Sequence, residues 1–175
     1  MSNQVILWSM LIVPWLTLFF MPKEDIKRYM PAAIFATATA ILISDTGVRL
    51  GIWIIKETLY PLSQVLPHYY SAMPVLTMWV LRFTYGQFWL YVVTNLVLDI
   101  GFSFFLLNIF FPSRGILQMN IHPLPVLLVT LVHAVVIYLY QMWQEGIFMR
   151  SEKANTSMSL QPAASKPNQD DNPDE

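Results

Sequence analysis

Cysteine is absent from all 175 residues. That excludes disulfides, thiol nucleophiles and thiolate metal sites, and leaves the redox compartment unmarked. Charge is scarce too. Asp, Glu, Lys and Arg make up 12% of the chain, about half the share of a water-soluble domain. The few charges cluster in short stretches and near the C-terminus, and their net value of −1 offers no footprint for a nucleic-acid partner. Catalytic signatures are missing as well. There is no glycine-rich phosphate loop, no HExxH spacing and no Ser/His/Asp order of a known type. The reading is therefore a non-enzyme without a cofactor.

What the chain does have is apolar length. Hydrophobic residues make up 55% of it, concentrated in five windows. This predicts an all-α integral membrane bundle of five transmembrane helices, at about 4–21, 31–55, 64–83, 87–111 and 124–145. These form one domain, 1–149, and the polar residues 150–175 predict a disordered tail. The first window has no Lys or Arg before it and no small-residue cleavage site after it, so it reads as a retained helix. "PKEDIKRY" reads as a loop, with Pro31 opening the second helix. The third window is broken by Pro67 and Pro74. It is either a kinked crossing or, in a four-helix alternative, a re-entrant stretch. Gly86 marks a tight turn after it.

Basic residues arbitrate the count. Five crossings with the N-terminus outside put Lys23, Lys27, Arg28, Arg82, Arg150, Lys153 and Lys166 inside, against Lys56 and Arg114 outside. Four crossings leave no bias. Five crossings with a cytoplasmic C-terminus follow.

Polar residues inside the windows form the candidate site: Asp45, Arg49, Asn95, Asp99 and His133. At a helical rise of about 1.5 Å per residue, Asp45, Asp99 and His133 lie about 15–18 Å from the outer ends of their helices. An ion at that depth costs roughly 2.5–3.5 kcal/mol on insertion scales, so these groups are expected to face inward. Asp45 pairs with Arg49 at i,i+4. Asp99 is either kept neutral by desolvation or paired, with His133 as its natural partner. Tyr91, Asn95, Asp99 and Ser103 make one stripe, and Thr130, His133, Ile137 and Gln141 another. Ala32, Ala36, Ala40 and Ser44 form a small-residue seam. Helices 2, 4 and 5 are thus expected to meet at a polar centre. That centre is either interhelical hydrogen-bond glue or a relay or ligand pocket. A metal held by two Asp and one His is disfavoured, because no recognised ligand spacing is present. His68, Tyr69 and Tyr70 read as an interfacial aromatic belt with Trp53 and Tyr60, and His122 as loop.

Two stretches carry a resemblance. The first loop offers Pro22, Lys23, Lys27, Arg28, Tyr29 and Pro31. The fourth window opens on Tyr85, Gly86, Phe88, Leu90, Tyr91, Thr94, Asn95 and Asp99. Over residues 4–145 the chain resembles a family of small uncharacterised multi-pass membrane proteins from spore-forming Gram-positive bacteria such as bacilli and clostridia. The resemblance implies a bacterial cytoplasmic membrane and this architecture. It implies no activity. The expected role is a scaffold, sensor or accessory subunit in the lipid bilayer, alone, as a homo-oligomer or within a larger membrane complex. The alternative is a small transporter or proton path through Asp45, Asp99 and His133.

Overall fold

The computed structural model describes residues 2–61 and 65–146 in full and continues as helical backbone to Ser159. The chain divides into two units, Met1–Gln141 and Met142–Glu175. In the second, the described part is the continuation of one helix.

Helix α1 (Asn3–Thr17) runs on through a 3-10 turn (Leu18–Phe20) despite Pro14. Helix α2 spans Lys23–Arg49, so "PKEDIKRY" is helix rather than loop, and Pro31 lies inside it. The reason is electrostatic and local. Glu24 and Asp25 sit in the first turn, where the helix dipole favours acids, and Arg49 sits in the last. Pro22 supplies the break just before them.

Helix α2 also stops early, at Arg49 instead of residue 55. Gly51, at φ 69°, adopts the left-handed conformation that only glycine takes cheaply. Gly51 N–H then donates to Val48 O (3.0 Å) and Ile52 N–H to Gly47 O (2.9 Å), a Schellman ending. The chain leaves it as strand β1 (Trp53–Ile55).

Helix α3 spans Ala72–Thr84 after a 3-10 turn at Pro67–Tyr69. Its 13 residues reach only about 20 Å, short of a hydrocarbon core of about 30 Å. Its direction is nevertheless defined. Ser71, just before it, donates to Met10 O of α1, and Trp79 Nε1 donates to Thr17 Oγ1 (3.1 Å). Near its end, Arg82 pairs with Asp25 in the first turn of α2 (3.1 Å). So α3 lies parallel to α1 and antiparallel to α2. A turn at Thr84–Gln87, closed by Gln87 N–H to Thr84 O (3.0 Å), reverses the chain.

Helix α4 (Phe88–Ile100) is prolonged by a π-helical stretch (Gly101–Phe110) and one α-turn (Phe111–Ser113). It ends as α2 does. Gly115, at φ 68°, donates to Pro112 O, and Ile116 N–H donates to Phe111 O, both at 3.0 Å. Strand β2 (Leu117–Met119) follows and pairs antiparallel with β1, Trp53 opposite Met119 and Ile55 opposite Leu117. Helix α5 (Pro123–Ser159) closes the chain. It continues past Arg150, where a disordered tail was expected, because no proline or glycine interrupts the chain between Gly146 and Pro162. The rest of that expected tail, residues 160–175, lies outside the described residues.

Among the described residues four helices are long and apolar enough to cross a membrane: Asn3–Phe20, Lys23–Arg49, Phe88–Ser113 and Pro123–Gly146. Away from the charged ends of α2 their outward residues are mostly apolar, with Phe19, Phe20 and Trp89 more than three-quarters exposed, a surface suited to lipid rather than water. Inside, the seam Ala32, Ala36, Ala40 and Ser44 is buried, and α2 packs most extensively on α3. Tyr91, Tyr85 and Phe88 gather around Tyr138 at 4.8–5.6 Å.

The Trp53 ring lies over Gly47, where any Cβ would collide with it. Gly47→Ala is expected to destabilise the protein by about 1–3 kcal/mol through overpacking. Adding Trp53→Ala should recover part of that loss, read as non-additive thermal unfolding in detergent.

Candidate functional site

Helices α2, α4 and α5 do meet, through side chains on the two predicted stripes. From α4, the Tyr91 hydroxyl donates to Ala134 O of α5 (2.8 Å). From α2, Thr39 Oγ1 lies 2.6 Å from His133 Nε2 of α5. Thr39 Oγ1 also lies 2.8 Å from Phe35 O. A hydroxyl has one proton and two lone pairs. If the hydroxyl gives its proton to Phe35 O it accepts from His133 Nε2–H, and if it donates to Nε2 the imidazole proton sits on Nδ1; the contact holds in either tautomer. His133 is thus held by α2, not by Asp99.

Asn95 is occupied within its own helix, its Nδ2 donating to Tyr91 O one turn back (2.8 Å). This differs from the expected bond across the bundle. Asp99 lies near the middle of Phe88–Ser113 and is half-buried. The Thr130 hydroxyl nearby donates to Leu127 O (3.0 Å), and Asp99 Oδ2 is buried with no partner among the described residues. Among the described residues no ion pair joins Asp99 to His133.

Asp45 and Arg49 are a correction. They pair with each other as expected, Arg49 Nε to Asp45 Oδ2 at 3.0 Å, but with side chains 60% and 79% exposed. They do not turn toward Asp99 or His133. The depth assigned to Asp45 assumed that α2 reached residue 55. With the helix ending at Arg49, Asp45 is only about 6 Å from its end.

Asn95, Asp99 and His133 instead line a cavity of about 600 Å³ bounded by parts of α1 to α5 and β1. The walls are mostly apolar, with the Trp53, Tyr69 and Phe102 rings among them. His68 lines it too, which the sequence reading had missed. It is 5% exposed, packs on Tyr69, Phe102 and Phe111, and neither ring nitrogen finds a partner among the described residues. It is therefore a buried wall residue, not part of an interfacial belt. His68 stands between Pro67 and two tyrosines, and no helical period marks it. Thr39 left a fainter signal, a hydroxyl beside the alanine seam. His122 is exposed, its Nδ1 accepting from Leu124 N–H (3.3 Å).

Above the cavity the helix ends are tied together. Glu57 accepts from Asn3 Nδ2 (2.6 Å) and Gln4 Nε2 (3.1 Å), which anchors the start of α1. Asn120 closes the strand end, donating from its backbone N–H to Ile52 O and from Nδ2 to Gly51 O, both at 2.9 Å.

Among the described residues no group of three or more His, Asp or Glu is placed to hold a metal ion. Comparison of the chain with protein-family models, with curated proteins and with solved structures finds no match.

Thr39→Val is expected to lower stability by about 1–3 kcal/mol, because it leaves the buried His133 Nε2 without its partner. Thr39→Ser should retain most of it. Thermal unfolding of the three proteins in one detergent checks both.

Proposed function

We propose that this chain is a non-enzymatic membrane protein, a sensor or accessory subunit, that holds a small molecule inside its helix bundle. The observation that carries the reading is the coincidence of a cavity of about 600 Å³ with lining residues whose buried polar atoms have no partner among the described residues, Asp99 Oδ2 and both nitrogens of His68. Ligand sites are typically about 300–1,000 Å³, mostly apolar, with a few convergent polar groups. Structural glue accounts for Tyr91, Thr39 and His133, whose bonds are made. It does not account for Asp99 and His68.

In this reading the chain crosses a bacterial cytoplasmic membrane five times, with its N-terminus outside and its C-terminus in the cytoplasm. Two things support the fifth crossing. Arg82 at the end of α3 pairs with Asp25 at the start of α2, and the basic residues then fall mainly on one side. Membership of the spore-former family resembled by the Tyr85–Asp99 motif is part of the same proposal.

One observation favours a second reading, a proton or ion path: Asp99 and His133 line the same cavity. The exposed Asp45–Arg49 pair would not belong to it. Under that reading Asp99→Asn abolishes flux in proteoliposomes while the protein stays inserted and abundant.

The ligand-binding reading is tested by solvent extraction and mass spectrometry of the purified full chain. It expects a small molecule at near one per chain, depleted in Ala72→Leu, which places a larger side chain in the cavity wall. Bulk lipid alone, the same in both proteins, would overturn it. Topology is tested separately, and the natural absence of cysteine makes this clean. Single cysteines at Ser113 and Ser157 are expected to react with an impermeant maleimide in intact cells at 113 only. Labelling at both positions, or at 157 alone, rules out the orientation.

A further inference from the structure

We propose that the cavity takes a lipophilic amine, an apolar body carrying one protonated nitrogen that seats on Asp99. This rests on the ligand-binding reading above and names the class of ligand. Three features of the wall select the charge. Among the described residues lining the cavity, Asp99 is the one acid, and there is no Lys or Arg. The lining groups that can take a positive charge are the His68 and His133 imidazoles, so an anionic ligand would meet no fixed positive charge and would be repelled by the carboxylate. A neutral ligand suits the protonated acid, whereas an ammonium compensates the ionised one.

The second feature is the free acceptor. Asp99 lines the cavity, and among the described residues its Oδ2 is buried without a partner, while the Thr130 hydroxyl donates to Leu127 O (3.0 Å). A rotation of the side chain brings an oxygen to the ligand, where a primary, secondary or tertiary ammonium supplies both the countercharge and an N–H donor and a quaternary one supplies the charge alone. Such a charge-assisted bond is about twice as strong as a neutral one. The third is the aromatic share of the wall. Trp53, Tyr69 and Phe102 offer ring faces to a cation or to an apolar body. At about 600 Å³ the space accommodates a body of drug-like size.

The test uses three probes with one body: phenylbutylamine, phenylbutanol and phenylbutanoate. Their binding to the full chain in phosphatidylcholine nanodiscs is measured by equilibrium dialysis, with partition into empty nanodiscs subtracted. The amine is expected to bind saturably at one per chain. The alcohol should bind at least about tenfold more weakly, and the carboxylate should not bind saturably. Asp99→Asn should weaken the amine by about tenfold or more and leave the alcohol unchanged. Asp99→Glu should keep the preference for the amine, which separates the charge from the fold.

Equal affinity for amine and alcohol, or an amine affinity that Asp99→Asn leaves intact, overturns the amine class while the ligand-binding reading stands. Saturable binding of the carboxylate overturns it in the same way. If none of the three binds saturably, the amine class falls. The extraction experiment then decides separately whether the cavity holds a ligand of another class.

Discussion

Backbone amides and carbonyls that enter a hydrocarbon layer find no water there, so each must be satisfied within the protein. The described unit is organised by that requirement. Helix α2 and the turn that prolongs α4 end two residues before Gly51 and Gly115, whose left-handed conformations return the N–H groups that follow to carbonyls of the final turn. The chain leaves each ending as a short strand, and the two strands pair with each other. Glu57 and Asn120 then satisfy the polar groups at the start of α1 and around the strands. The result is a closed end over a bundle whose sides are apolar.

The same rule applied to side chains separates groups that looked alike in the sequence. Tyr91 and His133 each find a partner on another helix and tie α2, α4 and α5 together. Asn95 and the helical threonines mostly turn back to their own carbonyls. Asp99 and His68 do neither completely. Both residues border the cavity, and each has a buried polar atom without a partner among the described residues. In a medium where a lone polar group is costly, that unsatisfied bonding sets them apart from the groups that tie the helices together.

Small residues set how closely the elements approach. The buried alanines of α2 bring α3 near, and Gly47 lets the Trp53 ring lie flat on the helix. Large aromatics fill the remainder. Tyr138 collects Tyr85, Phe88 and Tyr91 at one end, and Phe102 and Phe111 enclose His68 toward the other. The space left between these two packed regions is the cavity.

Much of this was legible in the residues alone. Five apolar windows were read as crossings, and four of them are helices long and apolar enough to cross a membrane among the described residues, since hydrophobic length is a local property. Periodicity put Tyr91, Ser103, His133 and Gln141 on inward faces, because helix geometry decides which residues share a face. The end of α2 was legible too, in Gly51, and reading through it misplaced Asp45 and the Arg49 pair. What the sequence could not determine was contact between segments distant along the chain. The Thr39–His133 bond, the Arg82–Asp25 pair, the burial of His68 and the free Oδ2 of Asp99 all depend on where other helices lie. A carboxylate in a helix is ordinary or exceptional according to what stands across from it, and only the packed structure supplies that neighbour.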